Sequence, residues 1–306
     1  MEKLSVIIPS RNEPFLNKTV DGLFENAEEE IEIIVMLDGY WPNPPLKKHN
    51  NLIIAHNGSV NGLRINQNAA SRLATGKYLM KTDAHCIFDK GFDVKLKSSC
   101  KKNYIVIPSR YSLNHKTWER YDKPAIEYLY LTYPYRTDEI YGDGFSGRKL
   151  TGDSHGKSGF YAPEEKLKDK LIDDIIVFQG SCWFTRKSHF ESIGGFNETW
   201  AVMWQEALEL AFKTWLSGGR VIRNKKTWYA HLHKNKETGG RGFRLSKREM
   251  VEMKKMSADY WMNNRWEGQT RDIRWLINKF SPMPEWPENW CKEHKPEIDL
   301  KWEAEK

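Results

Sequence analysis

KYLMKTDAHCIF, Lys77–Phe88, is the stretch on which the reading of the whole chain turns. Its apolar run stops abruptly at Asp83-Ala84-His85. If the run is a strand, side chains alternate with period two, so Asp83 and His85 leave the same face. A carboxylate oxygen beside an imidazole nitrogen is a mixed donor set that suits Mn2+ or Zn2+, and Mg2+ where a phosphate is also present. The same pair also serves as an ordinary loop cap, so the segments on either side must decide.

Upstream, Leu4–Pro9 reads as a short strand stopped by proline, followed by the polar loop Ser10-Arg11-Asn12-Glu13-Pro14. Leu16, Val20, Leu23 and Phe24 then recur at helical spacing over Leu16–Asn26. IEIIVML, Ile31–Leu37, is almost continuously apolar, as in a parallel strand buried on both faces, and ends in Asp38-Gly39. A third short strand is predicted over Leu52–Ala55. A helix is predicted over Asn61–Thr75, with Gly76 as its C-cap. Alternating strands and helices of this kind specify a three-layer α/β domain, with its ligand crevice outside the carboxyl ends of the strands. Asp38, Asp83 and His85 are expected to face that crevice.

The length of 306 residues allows one large or two small domains. No run approaches the length of a membrane span, and Cys86, Cys100, Cys182 and Cys291 form no CxxC pair, so a zinc ribbon or disulfide framework is not expected. A reducing cytoplasm is the expected compartment. The net charge of +7 is concentrated: Arg220–Met250 holds ten Lys or Arg against Glu237 and Glu249, an excess of eight. Such a patch suits polyanions or phosphorylated ligands. Tyr104–Pro108 and Ile126–Tyr135 read as strands, and the glycine-rich segment 142–159 as a functional loop. Ser246 and Glu249 form a capping box that opens a helix to about Asn263, and a second helix is predicted over Thr270–Lys279. Six tryptophans follow residue 243, read as anchors of this tail to the body of the protein.

The segments VIIPSRNE, IIVMLDG, NGLRINQNAASRLATGKYLMKTDAHC, QGSCWFTRKSHFESIGGFNETW, WQEALELAFKTWLSGG and WYAHLHK occur in that order. Over residues 4–234 they resemble a GT-A-fold glycosyltransferase, in detail the polypeptide N-acetylgalactosaminyltransferase-like, family 2-like group. The resemblance implies a Rossmann-like nucleotide-sugar-binding domain with a mixed central sheet over residues 1–242. Within it, 1–100 would be the nucleotide half and 101–242 the acceptor half. A helical, Trp-rich extension would occupy 243–306.

It implies further that Mn2+ (or Mg2+) is held by Asp83, His85 and a third ligand. That ligand is carried over to His231, with His233 on the same strand face as the alternative. A UDP-sugar donor would be gripped by Pro9, Arg11, Glu13, Asp38 and Arg64, and by Lys234 and Arg241 from a mobile loop, KNKETGGRGFR. Glu206 matches the glutamate of that group's WGGEN segment and would face the sugar, acting in catalysis together with the metal-bearing Asp83. Inverting relatives place an aspartate beside this glutamate; here the neighbour is Ala207, which favours retention. Glu209 would share that site or face solvent.

The acceptor favoured by the basic segment is DNA carrying a hydroxymethylated base, of the kind phage enzymes modify in a host's cytoplasm. Polysaccharide, lipid-linked and protein acceptors are the alternatives. Two other classes compete. A non-catalytic nucleic-acid-binding protein has no need of the Asp-x-His pair, and a nucleotidyltransferase would carry a glycine-rich loop where this chain has Ser10-Arg11-Asn12-Glu13.

Overall fold

The computed structural model describes residues 2–135, 147–149, 169–200, 205–240 and 246–301. The first half follows the hydrophobic pattern closely. Strands β1 (Leu4–Ser10), β2 (Ile31–Asp38), β3 (Leu52–Asn57) and β4 (Tyr78–Thr82) alternate with helices α1 (Leu16–Asn26) and α2 (Leu63–Leu73). All of β2 is buried, which accounts for its unbroken apolar run. β1 pairs in parallel with β2 on one side and β4 on the other, and β2 pairs in parallel with β3. The chain therefore builds outward from β1 through β2 to β3 and then returns to lay β4 on the opposite flank. The carboxyl end of β1 is the topological switch point, where open α/β sheets form their crevice.

The chain continues through β5 (Cys86–Phe88), α3 (Phe92–Ser99), β6 (Tyr104–Asn114), β7 (Glu119–Arg120), β8 (Leu129–Leu131), β9 (Gly147–Lys149), β10 (Ile172–Asp174), β11 (Cys182–Arg186), α4 (Lys187–Ser192), α5 (Glu206–Leu216) and β12 (Arg220–His231). It ends in α6 (Lys247–Met262), α7 (Ile273–Phe280) and α8 (Trp290–Glu293). The ten-stranded sheet has the order β10-β12-β6-β11-β4-β1-β2-β3, with β5 against β12 and β7 against β6. β11 runs antiparallel to both β4 and β6, so the sheet is mixed, as a GT-A fold requires.

Contacts group the chain into two compact units, one of residues 1–127, 180–203 and 223–244, the other of 128–179, 204–222 and 245–306. In the first unit Glu32 ties the amino ends of β1 and β2 to the approach to β4. Its carboxylate accepts from Ser5 and from Thr75 N at 2.6 Å, and pairs with Lys3 Nζ at 2.6 Å. In the second, Trp215 Nε1 donates to the Ile175 carbonyl at 3.1 Å and Thr270 N to the Leu216 carbonyl at 2.8 Å. Trp261 is fully buried there, edge-on to Phe212, and Trp290 is buried as well; Trp302 lies outside the described residues. Among the described residues no helix is long and apolar enough to cross a membrane.

Several expected elements are corrected. Gly76 is not a C-cap: α2 ends at Ala74 in an extended conformation. Gly76 is instead a point of close approach, since a Cβ there would lie 2.7 Å from the Lys3 carbonyl oxygen and 2.8 Å from Ser5 N. The strand predicted over Tyr104–Pro108 runs on to Asn114. That predicted over Ile126–Tyr135 contracts to Leu129–Leu131, and Pro134, which has no N–H to give a ladder, lies just beyond it. The capping box of Ser246 and Glu249 is present. The next helix begins at Ile273 rather than Thr270, because the Asp272 side chain accepts from Arg274 N at 2.7 Å and caps it.

Candidate metal centre

β4 stops at Thr82, so Asp83 and His85 are not set on one face by strand alternation; they occupy the bend between β4 and β5. β5 pairs antiparallel with β12 in a register that puts Cys86 opposite His231, and Leu232 N donates to the His85 carbonyl at 3.1 Å. This pairing brings His231, 148 positions from Asp83, to 3.1 Å between its Nε2 and Asp83 Oδ2. His85 Nε2 lies 3.1 Å from the same His231 nitrogen. The three ligating atoms fall within 4.8 Å of one another. His233 is not part of this group: it is exposed and meets the Arg110 guanidinium.

Electrostatics set the protonation of the cluster. Burial alone would raise the Asp83 carboxyl, but the Lys81 ammonium and the hydrogen bond from His231 overcome it and hold the acid well below the usual carboxylate range. Burial pushes the His231 imidazole down to about 3, against the pull of Asp83. Near neutral pH the carboxylate is therefore charged and the imidazole neutral, the protonation states a metal needs. Two nitrogens and one oxygen also form a chemically suitable set for Mn2+ or Zn2+.

Four side chains surround these three. Lys81, 1% exposed within β4, forms an ion pair with Asp83 and donates to the Gly180 carbonyl at 2.6 Å. Glu13 Oε2 lies 2.8 Å from His85 Nδ1 and is also paired with Lys234. Arg110, again 1% exposed, directs Nη2 toward His231 Nδ1 at 3.5 Å and toward His233. Its Nε and Nη1 are buried with no hydrogen-bond partner among the described residues.

The residues expected to hold a nucleotide are distributed unevenly. Pro9 lies in β1 opposite Met36, and Arg11 follows at the carboxyl edge, both half-buried. Glu13 is not open to a ligand, since its Oε1 accepts from Phe15 N while Oε2 is occupied as above. Asp38 ends β2 at the same edge, but its two oxygens accept from Asn61 N at 2.7 Å and Gly62 N at 3.3 Å, so the carboxylate organises the entry to α2. Arg64 is buried on α2 with its guanidinium 5.3 Å from the Trp200 ring centre. Lys234 is brought to the metal cluster through Glu13. Arg241 and most of the loop 142–159 lie outside the described residues. Glu206 is the first residue of α5 in the second unit and is buried, as is Glu209, which pairs with Lys213 at 2.9 Å instead of facing solvent.

The basic segment is also corrected. Arg220 pairs with Asp174, Lys225 with Glu127 and Lys234 with Glu13, while buried Arg223 donates to the carbonyls of Pro108 and Glu127. Four of the ten cations therefore serve the fold. Sequence reasoning missed Lys81 and Arg110. A lysine inside an apolar run was a visible signal for the first; nothing local marks the second.

A mixed α/β sheet with Asp83, His85 and His231 gathered at its carboxyl edge beside the switch point is the arrangement that the resemblance to GT-A-fold glycosyltransferases implies. The chain belongs to the glycosyl transferase family 2, whose pattern it matches over residues 5–194. It is 23% identical over 250 residues to a probable N-acetylgalactosaminyltransferase 7 of Caenorhabditis elegans, covering 76% of this chain and 39% of that protein. It is 25% identical over 201 residues to polypeptide N-acetylgalactosaminyltransferase 3 of Mus musculus, covering 62% and 28%. A crystal structure of GalNAc-T7 with UDP, GalNAc and Mn2+ superposes with a TM-score of 0.65 at 15% identity, covering 96% of this chain and 58% of that one. The chain thus spans well under half the length of these curated relatives.

Proposed function

We propose that the chain is a metal-dependent glycosyltransferase that moves a sugar from a UDP-sugar to an acceptor hydroxyl with retention of configuration. The observation that carries this reading is the convergence of Asp83, His85 and His231 at the carboxyl edge of the sheet. These three would hold Mn2+ (or Mg2+), which, when bound, would supply Lewis-acid stabilisation of a departing diphosphate. The chain's own charges point the same way. Around the cluster, Lys81, Lys234 and Arg110 outnumber Asp83 and Glu13 by one. With a divalent ion bound the site would carry a net positive charge, opposite in sign to the phosphates of a nucleoside diphosphate.

Arg11 and Pro9 at the end of β1 remain open candidates for the nucleoside; Arg241 would meet the phosphates, and Lys234 would do so from its ion pair with Glu13. Glu206 would face the transferred sugar, and Ala207, standing where inverting relatives carry aspartate, favours retention. The residues 1–242 would form the transferase and 243–306 its extension, in a cytoplasmic enzyme. The DNA acceptor keeps the support of the exposed Lys226 and Lys236, but not of the four cations that the fold uses internally.

The test is thermal stability with UDP, with and without Mn2+, on the wild type and on Asp83→Asn. A ligand at about 100 times its dissociation constant adds about 2.7 kcal/mol. A shift that needs Mn2+ and vanishes in the variant supports the reading; the absence of any shift with UDP and Mn2+ overturns it. Release of UDP rather than pyrophosphate on turnover excludes a nucleotidyltransferase, and duplex binding that does not weaken with salt would remove DNA as acceptor. The anomeric configuration of the product, read by NMR, tests retention.

A further inference from the structure

Glu13 stands in a turn that the chain takes some trouble to make. Asn12 adopts the left-handed region at φ 48°, which asparagine tolerates better than most residues. The turn points the Glu13 side chain inward, leaving the residue only 7% exposed. There Oε2 lies 2.8 Å from His85 Nδ1, and the other imidazole nitrogen of His85 points at the cluster, 3.1 Å from His231 Nε2. A carboxylate oxygen facing Nδ1 at this distance accepts the proton of that nitrogen, which selects the Nδ1–H tautomer of His85. Nε2 is then left with its lone pair directed at the position between Asp83 and His231. A carboxylate behind a histidine in this way fixes the tautomer and ring orientation of a metal ligand and raises its basicity.

We infer that Glu13 is a positioning residue for the metal centre: it holds His85 in the Nδ1–H tautomer and so sets the affinity for a divalent ion, and it does not contact the nucleotide. This rests on the reading of Asp83, His85 and His231 as metal ligands. Lys234, on the same oxygen, neutralises Glu13 but does not touch His85 in this arrangement. Its removal should therefore leave the relay from Glu13 to His85 in place.

The experiment measures Mn2+ binding to the full chain by calorimetry without nucleotide, for the wild type, Glu13→Gln, Lys234→Met and Asp83→Asn. Glutamine keeps the shape of the side chain but loses the charge and can present an N–H to the imidazole. Mn2+ affinity is expected to fall about 10- to 100-fold in Glu13→Gln, with uridine affinity unchanged, while Lys234→Met binds Mn2+ as well as the wild type or better. Equal loss in Glu13→Gln and Lys234→Met would make the ion pair a mere brace, and loss of uridine affinity in Glu13→Gln would make Glu13 a nucleotide contact; either result overturns the inference. If Asp83→Asn abolishes Mn2+ binding and Glu13→Gln does not weaken it, the positioning role alone fails. If both variants bind as the wild type does, the metal reading fails and takes this inference with it. Should Glu13→Gln not fold, nitrogen-15 NMR of the wild type decides: His85 protonated at Nδ1 without metal supports the role, and protonation at Nε2 refutes it.

Discussion

Replacing Glu32 with glutamine removes one charge from inside β2 while keeping the side chain's shape. The residue is 3% exposed, and its carboxylate receives hydrogen bonds from Ser5, from Thr75 N at 2.6 Å and from Thr75 Oγ1 at 2.8 Å, beside Lys3 Nζ at 2.6 Å. Burial works to raise its pKa, but Lys3, Ser5 and Thr75 together outweigh burial and hold the carboxyl at about 2, against an ordinary 4.5. That preference for the charged form corresponds to about 3 kcal/mol at most. Because the Lys3 side chain is 38% exposed and screened by solvent, about 2 kcal/mol is the working figure. The amide in its place turns an NH2 toward donors that have lost their acceptor, a loss of the same order, about 1–3 kcal/mol.

The folded pKa lies below the unfolded one, so this stabilisation is complete above roughly pH 5 and is lost as the pH falls through 4.5 toward 2. Urea unfolding at pH 7 should find Glu32→Gln about 2 kcal/mol less stable than the wild type. At pH 3 the gap between the two proteins should have shrunk by about half. A gap under about 0.5 kcal/mol at pH 7, or one of equal size at both pH values, would refute the reasoning.

Gly76→Ala places a methyl 2.7 Å from the Lys3 carbonyl and should destabilise by about 1–3 kcal/mol; an unchanged melting temperature would show that the β1 edge yields freely. Burial pushes the His189 imidazole down to about 4, so it is neutral in the fold and stability should fall by about 1.4 kcal/mol per pH unit between about 6.5 and 4. His189→Gln should flatten that slope in denaturation curves at pH 7, 5.5 and 4.5, and an unchanged slope would acquit the residue. Arg110→Met removes a buried guanidinium with two unpartnered nitrogens, so the ligand-free protein should hold or gain stability while the UDP-dependent shift with Mn2+ shrinks. A loss of more than about 1 kcal/mol without ligand would mean that its contacts with His231 and His233 outweigh the burial.

What could be read from the residues alone was local. The unbroken run of β2, the helical spacing of Leu16–Asn26 and the reciprocal pair Ser246 and Glu249 each carry their signal within a few positions, and all three elements form as the pattern predicts. Asp83 and His85 were legible for the same reason, two positions apart at the end of an apolar run, even though a bend rather than a strand holds them.

The tertiary structure decided what depends on residues distant in the chain. His231 and His233 are equivalent by strand alternation, and only the register of β5 on β12 selects His231. Glu13 reads from the sequence as a grip on the nucleotide, and only folding places it against His85, 72 positions away. The basic segment reads as one patch because charge in a sequence carries no partner. In the fold, Arg220, Lys225 and Lys234 each meet a carboxylate brought in from another part of the chain. Periodicity and capping are properties of a few neighbouring residues. Strand register and ion pairing are settled only when distant segments pack, and the cluster of Asp83, His85 and His231 is built from both.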